Sequence, residues 1–89
     1  MGRPPQHQPV PAPRDLAGFP HARHVKPKTS FAGSLRRPRW RDANNDILEC
    51  DARHGRIERY NPRGDHLGEF SAETGEQLSA ADPARKVTP

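Results

Sequence analysis

The sequence predicts a small, mainly β protein, an antiparallel meander behind a proline-rich arm. Three observations carry that prediction. Beyond Arg41, short apolar pairs are separated by turn-forming residues, the pattern of strands joined by tight connections. No stretch keeps the 3.6-residue apolar rhythm of an amphipathic helix. And Pro4, Pro5, Pro9, Pro11, Pro13, Pro20 and Pro27 crowd the first part of the chain, where each fixes φ and removes a backbone donor.

Residues 1–28 therefore read as a polyproline-like arm or linker, and residues 29–89 as the folded domain. A short helical turn is expected near Asp15 to Ala17 with Asp15 as its cap, and Phe19 is a candidate anchor for the arm. The stretch S-L-R-R-P-R-W-R follows, with Arg36, Arg37, Arg39 and Arg41 around the sole tryptophan, Trp40. Two readings stand side by side there. Interleaved arginine and aromatic residues bind phosphate and stack on bases; alternatively Trp40 anchors the core and the arginines form a solvated edge. Asn44-Asn45 suits a turn, Asp46 to Asp51 a strand, His54-Gly55 a second turn, and Ile57 to Tyr60 the returning strand. Asn61 to Asp65 turns the chain again, His66 to Phe70 reads as a strand, Glu73 to Glu76 as a turn, and Gln77-Leu78 as the start of a last strand. Leu48, Ile57, Leu67, Phe70, Leu78 and Trp40 are the expected core.

That core is thin, because apolar residues make up 30% of the chain against a usual ~45–50%. A net charge of +4 suits an anionic partner, since lysines and arginines that neutralise phosphates release counterions and steer association. A single cysteine, Cys50, excludes an internal disulfide and cannot make a thiolate zinc site alone. It reads as a small half-buried strand residue. No apolar run approaches the ~18 residues of a membrane span, and no secretory hydrophobic stretch is present, so membrane insertion is not expected; no cofactor is expected either, nor a metal, which needs convergent ligands the sequence does not display.

The chemistry concentrates in D-A-R-H-G-R-I-E, which holds Asp51, His54 and Glu58. If His54-Gly55 is a two-residue hairpin tip, Asp51 lies directly opposite Glu58 with Cβ atoms ~5 Å apart. Carboxylates that close cannot both ionise freely, and a histidine at the turn titrates near neutrality. The stretch then supplies a general acid and base. The same residues also describe an ordinary polar hairpin whose acids pair with Arg53, Arg56 and Arg59.

Along residues 15–89 the chain resembles the ribosomal-RNA-cleaving cytotoxic domain of the cloacin and ribonuclease-type colicin family, which also occurs at the ends of contact-dependent inhibition proteins. The resemblance rests on ordered, closely spaced matches: Phe19-Pro20, Lys26-Pro27-Lys28-Thr29, Arg39-Trp40, Asp51 with His54-Gly55, Glu58 with Tyr60, His66-Leu67-Gly68 with Phe70, Thr74-Gly75 with Gln77-Leu78, and Asp82-Pro83 with Arg85. The chain departs from the family pattern at Cys50, where relatives carry an aromatic residue, and at Arg56, where they carry an acid.

The resemblance implies a strongly twisted antiparallel sheet with a short N-terminal helical element. It implies cleavage of 16S ribosomal RNA at the decoding site of the 30S subunit, and the chemistry expected for that cut is metal-free transesterification by the ribose 2′-OH. Asp51, His54, Glu58 and Arg85 match the catalytic set, and Tyr60 a supporting tyrosine. Arg36, Arg37, Arg39, Trp40, Arg41 and Lys86 are candidates for RNA contact. An acidic cognate immunity protein, delivery from the producing cell within a larger toxin and action in the target cytoplasm follow from the same resemblance, while indifference to DNA follows from the expected chemistry, because DNA lacks the 2′-OH nucleophile. Three other readings remain: a non-catalytic RNA- or ribosome-binding module, a nuclease acting on transfer RNA, and an interaction protein docking through its proline-rich arm.

Overall fold

The computed structural model describes residues 15–32, 35–51 and 55–89. Eight short strands appear: β1 (Arg23–Val25), β2 (Ser30–Ala32), β3 (Leu35–Arg36), β4 (Arg39–Arg41), β5 (Ile47–Asp51), β6 (Arg56–Tyr60), β7 (His66–Ser71) and β8 (Gln77–Ser79). Six make one antiparallel sheet in the order β1-β4-β5-β6-β7-β8, and β2 and β3 pair separately. From β4 onward spatial order follows chain order, so each connection is a turn; the expected meander is what forms. Asn45, at φ 65°, closes the first turn. There Asp42 Oδ1 accepts from the N–H groups of Asn44 (2.9 Å) and Asp46 (3.0 Å), an Asx arrangement that suits Asp and Asn.

Strand alternation divides the sheet into two unlike faces. Trp40, Leu48, Cys50, Ile57 and Phe70 share one face and form the core with Leu16, backed by Phe19, Ala22 and Ala72. Arg59 closes the edge of this face. Its guanidinium lies 5.3 Å from the Phe70 ring centroid and 5.9 Å from that of Phe19, while Nη2 donates to Asp42 Oδ2 at 2.8 Å and Nε to Asp46 Oδ2 at 3.0 Å. Burial, then the neighbouring Asp51 charge, pushes the Cys50 thiol up, so Cys50 is an inert packing group. The opposite face carries Arg39, Glu49, Asp51, Glu58 and Tyr60, buried yet mostly ionisable.

Several expectations change. No helix occurs among the described residues. The segment after Asp15 makes isolated turns, Phe19 N–H to Leu16 O and Ala22 N–H to Phe19 O, both 3.0 Å. Gly18 and Pro20 are poor helix formers, and the Gly18 N–H is committed to Ala72 O at 2.8 Å. Part of the stretch assigned to the arm by composition also takes part in the folded unit: Leu16 is a core residue and β1 pairs with β4. Leu78 is 46% exposed because β8 is an edge strand, and Leu67 is half-buried, so neither belongs to the core. Of the two readings of Trp40 the core anchor holds. At 1% exposure it offers no ring face to a base.

Candidate active site

β5 ends at Asp51 and β6 begins at Arg56, so four residues connect them rather than two. The Gly55 N–H donates to Asp51 O at 2.8 Å with Gly55 at φ 66°, a left-handed position that favours glycine. The longer connection moves the register. Asp51 pairs with Arg56, and the residue opposite Glu58 is Glu49, which corrects the expected Asp51–Glu58 pairing. Asp51 and Glu58 still converge diagonally on one face, and oxygens of Asp51, Glu58 and Glu69 lie within 4.8 Å of one another. His54 lies outside the described residues.

Glu58 sits at the centre of this cluster, almost wholly buried. Its Oε1 accepts from His66 Nε2 at 2.8 Å, and its Oε2 faces Arg85 Nη1 at 3.4 Å. Burial pushes its carboxyl above the ordinary 4.5; the His66 hydrogen bond and Arg85 charge pull it back, and Glu69 pushes it up again. Burial likewise raises the Tyr60 phenol against the pull of Arg85. Burial works against the Arg85 charge, but Tyr60, Glu58 and Asp51 outweigh it and hold the guanidinium protonated. The result is a base of raised proton affinity beside a fixed cation.

Arg85 reaches this face because the C-terminal segment is tied across the end of the sheet. The His66 N–H donates to Arg85 O (3.2 Å), the Val87 N–H donates to Gly64 O (2.9 Å), and Asp65 bridges to Lys86. Any side chain on Gly64 would collide with the Val87 carbonyl, and its φ is +91°, so the close approach needs glycine there.

Asp51, Glu58, Tyr60 and Arg85 are thus brought together, whereas the expected RNA-contact residues divide. Arg39 is buried beneath the surface, its Nη2 2.8 Å from Glu49 Oε2, and with Trp40 it drops out as a direct contact. Arg36 and Lys86 are exposed, and Arg37 and Arg41 half-buried. Two site residues were missed, His66 and Glu69. Simple alternation puts positions 66 and 69 on opposite faces, but β7 is irregular: Arg59 pairs with Gly68 and Tyr60 with His66, an extra residue that brings both side chains to Glu58. Among the described residues, Asp51, Glu58 and Glu69 form the one group spaced to hold a cation. The Arg85 guanidinium brings positive charge to the same place, its Nη1 3.4 Å from Glu58 Oε2.

A small antiparallel sheet thus gathers a buried carboxylate, a buried tyrosine and a partly exposed arginine at one place. A family model described as Cytotoxic matches residues 10–88, and the chain belongs to that family. It is 38% identical to colicin-E6 of Escherichia coli over 84 residues and 38% identical to cloacin of Escherichia coli over 82. Colicin E3 of the same organism is 36% identical over 84 residues. These matches take in 89–91% of this chain but 15% of each relative, so the chain spans a small part of the length of the curated relatives it matches.

Proposed function

We propose that this domain is an endoribonuclease that cuts 16S ribosomal RNA at the decoding site and stops translation. The observation that carries the reading is Glu58: a buried carboxylate of raised proton affinity with its Oε2 turned to Arg85. Glu58 takes the proton from a ribose 2′-OH, the oxygen attacks the adjacent phosphorus, and the bond from phosphorus to the 5′-oxygen breaks. His54 gives that leaving oxygen its proton, and the products are a 2′,3′-cyclic phosphate and a 5′-hydroxyl. The reverse assignment of Glu58 and His54 is the alternative order of the same pair. Asp51 orients or charges the histidine, and Arg85 balances charge on the pentacoordinate phosphorane. Tyr60 supports Arg85, and Arg36, Arg37, Arg41 and Lys86 draw in the polyanion.

The chemistry proposed needs no metal, and cleavage in excess chelator tests that point. Membership of the Cytotoxic family and the similarity to two colicins and cloacin support a toxin role. With it come an acidic immunity partner drawn by this domain's positive charge, delivery within a larger toxin, and action in the target cytoplasm. The test is incubation with intact ribosomes followed by RNA gel analysis. One discrete fragment from near the 3′ end of the small-subunit RNA is expected. Loss of that fragment in His54→Ala, Glu58→Ala and Arg85→Ala with ribosome binding retained supports the assignment; full activity in all three overturns it. Cleavage of transfer RNA alone would move the substrate, cleavage of DNA would indicate attack by water, and binding without scission would leave a non-catalytic module.

A further inference from the structure

His66 makes two side-chain hydrogen bonds that constrain each other. The backbone N–H of Asp82 donates to Nδ1 at 2.9 Å, and an amide N–H has no other role to play. Nδ1 must therefore be the unprotonated nitrogen, and in a neutral imidazole the proton sits on Nε2. Nε2 lies 2.8 Å from Glu58 Oε1, so the ring donates there to the carboxylate. The His66 backbone adds a third tie, N–H to Arg85 O at 3.2 Å. One buried residue thus holds both β6 and the segment that carries Arg85, with its ring edge-on to Tyr60 at 5.2 Å.

We propose that His66 is a positioning residue, a neutral Nε2–H imidazole that keeps the Glu58 carboxylate aimed and holds the Arg85-bearing segment at a fixed distance from it. The inference rests on Glu58 being the general base. Protonating the ring would turn Nδ1 into a donor facing the Asp82 N–H, so the arrangement excludes His66 as a proton shuttle. The groups that face Glu58 are Glu49 and Asp51 from β5, Arg56 and Tyr60 on its own strand, His66 and Glu69 from β7, and Arg85 from the C-terminal segment. Among them His66 is the hydrogen-bond donor whose loss raises Glu58 without removing a formal charge.

Two substitutions separate the two hydrogen bonds, because asparagine carries an acceptor near the Nδ1 position and glutamine a donor near the Nε2 position. His66→Asn keeps the Asp82 tie and loses the donor to Glu58. The acid limb of kcat/KM for ribosome cleavage should move up by roughly one to two pH units, with the rate regained above it. His66→Gln keeps the donor and loses the tie. Its acid limb should stay where the unmodified domain has it, with kcat reduced about 10-fold or more across the whole range and Tm lowered. An unmoved limb and an unchanged rate in His66→Asn overturn the proposal. Glu58→Gln, assayed alongside, distinguishes the two levels: cleavage by Glu58→Gln at the unmodified rate removes the general-base reading itself. If neither His66 variant folds, long-range ¹H–¹⁵N spectra of the unmodified domain decide. A neutral Nε2–H ring throughout the active pH range supports the proposal, and an Nδ1–H tautomer or a cationic ring there overturns it.

Discussion

Glu49 and Glu58 are cross-strand partners on one face of the same sheet, both buried, yet their surroundings differ. Glu49 is enclosed. Its Oε2 accepts from Arg39 Nε at 3.0 Å, Arg39 Nη2 at 2.8 Å and Thr29 Oγ1 at 2.6 Å, and Arg39 is itself buried. Glu58 has the His66 imidazole on one oxygen and, on the other, an arginine whose side chain is 37% exposed. Burial alone therefore does not make a carboxylate reactive. A carboxylate clamped on a buried arginine is fixed by its countercharge; the proposed base is instead held by an imidazole beside a partly exposed arginine.

The sharpest way to break this contrast is Glu58→Gln. Cleavage of ribosomal RNA should fall roughly 10²–10⁴-fold with the circular dichroism spectrum retained. Because burial raises the folded pKa of Glu58 above its ordinary 4.5, its contribution to stability is fully present below that value. That contribution is lost as pH rises through the raised folded value. Urea titrations of the unmodified domain should show this decline, and Glu58→Gln should flatten it.

The mirror substitution, Glu49→Leu, leaves Arg39 buried without its countercharge and should cost about 3–5 kcal/mol, read as a fall in urea midpoint. Activity should follow only the folded fraction. Arg39→Met combined with Glu49→Leu should recover most of that loss, because two apolar groups of similar volume replace a desolvated pair. Should the double variant fold well yet fail to cut, Glu49 belongs to the chemistry and the contrast is wrong. A smaller effect is expected from Thr29→Val, about 1.5 kcal/mol of stability for one hydrogen bond to a charged acceptor, with cleavage unchanged. The smallest is Leu78→Ser on the exposed edge strand, within about 0.5 kcal/mol by thermal melting.

Much of the β4 to β8 meander was legible along the chain, because turn residues such as Asn44-Asn45 and Asn61 to Asp65 punctuate short apolar pairs. Leu48, Ile57, Phe70 and Trp40 were legible as core by alternation. The β1 strand was not, since Arg23-His24-Val25 has no apolar alternation and becomes a strand only by borrowing hydrogen bonds from β4. Leu16 was missed for a related reason: it packs from a turn, where no periodicity marks it. In the site, the residue types at Asp51, His54 and Glu58 pointed to acid/base chemistry and the family resemblance added Tyr60 and Arg85, but the register did not follow from them. The connection between β5 and β6 is longer than a two-residue tip, and that difference replaces Asp51 by Glu49 opposite Glu58.

By itself the sequence determined which local states were affordable to the chain: where turns fall, which side chains seek the interior, and that an excess of positive charge suits a polyanion. Such information is local, because φ/ψ preference and hydropathy act over a few residues. Only the tertiary structure decided which carboxylate would meet which countercharge. Arg39 and Arg85 are alike as letters, and so are Glu49 and Glu58. Strand register, the irregularity in β7 and the close pass of Val87 over Gly64 set their distances, and Coulombic and hydrogen-bond energies depend on distance and solvent access rather than on sequence separation.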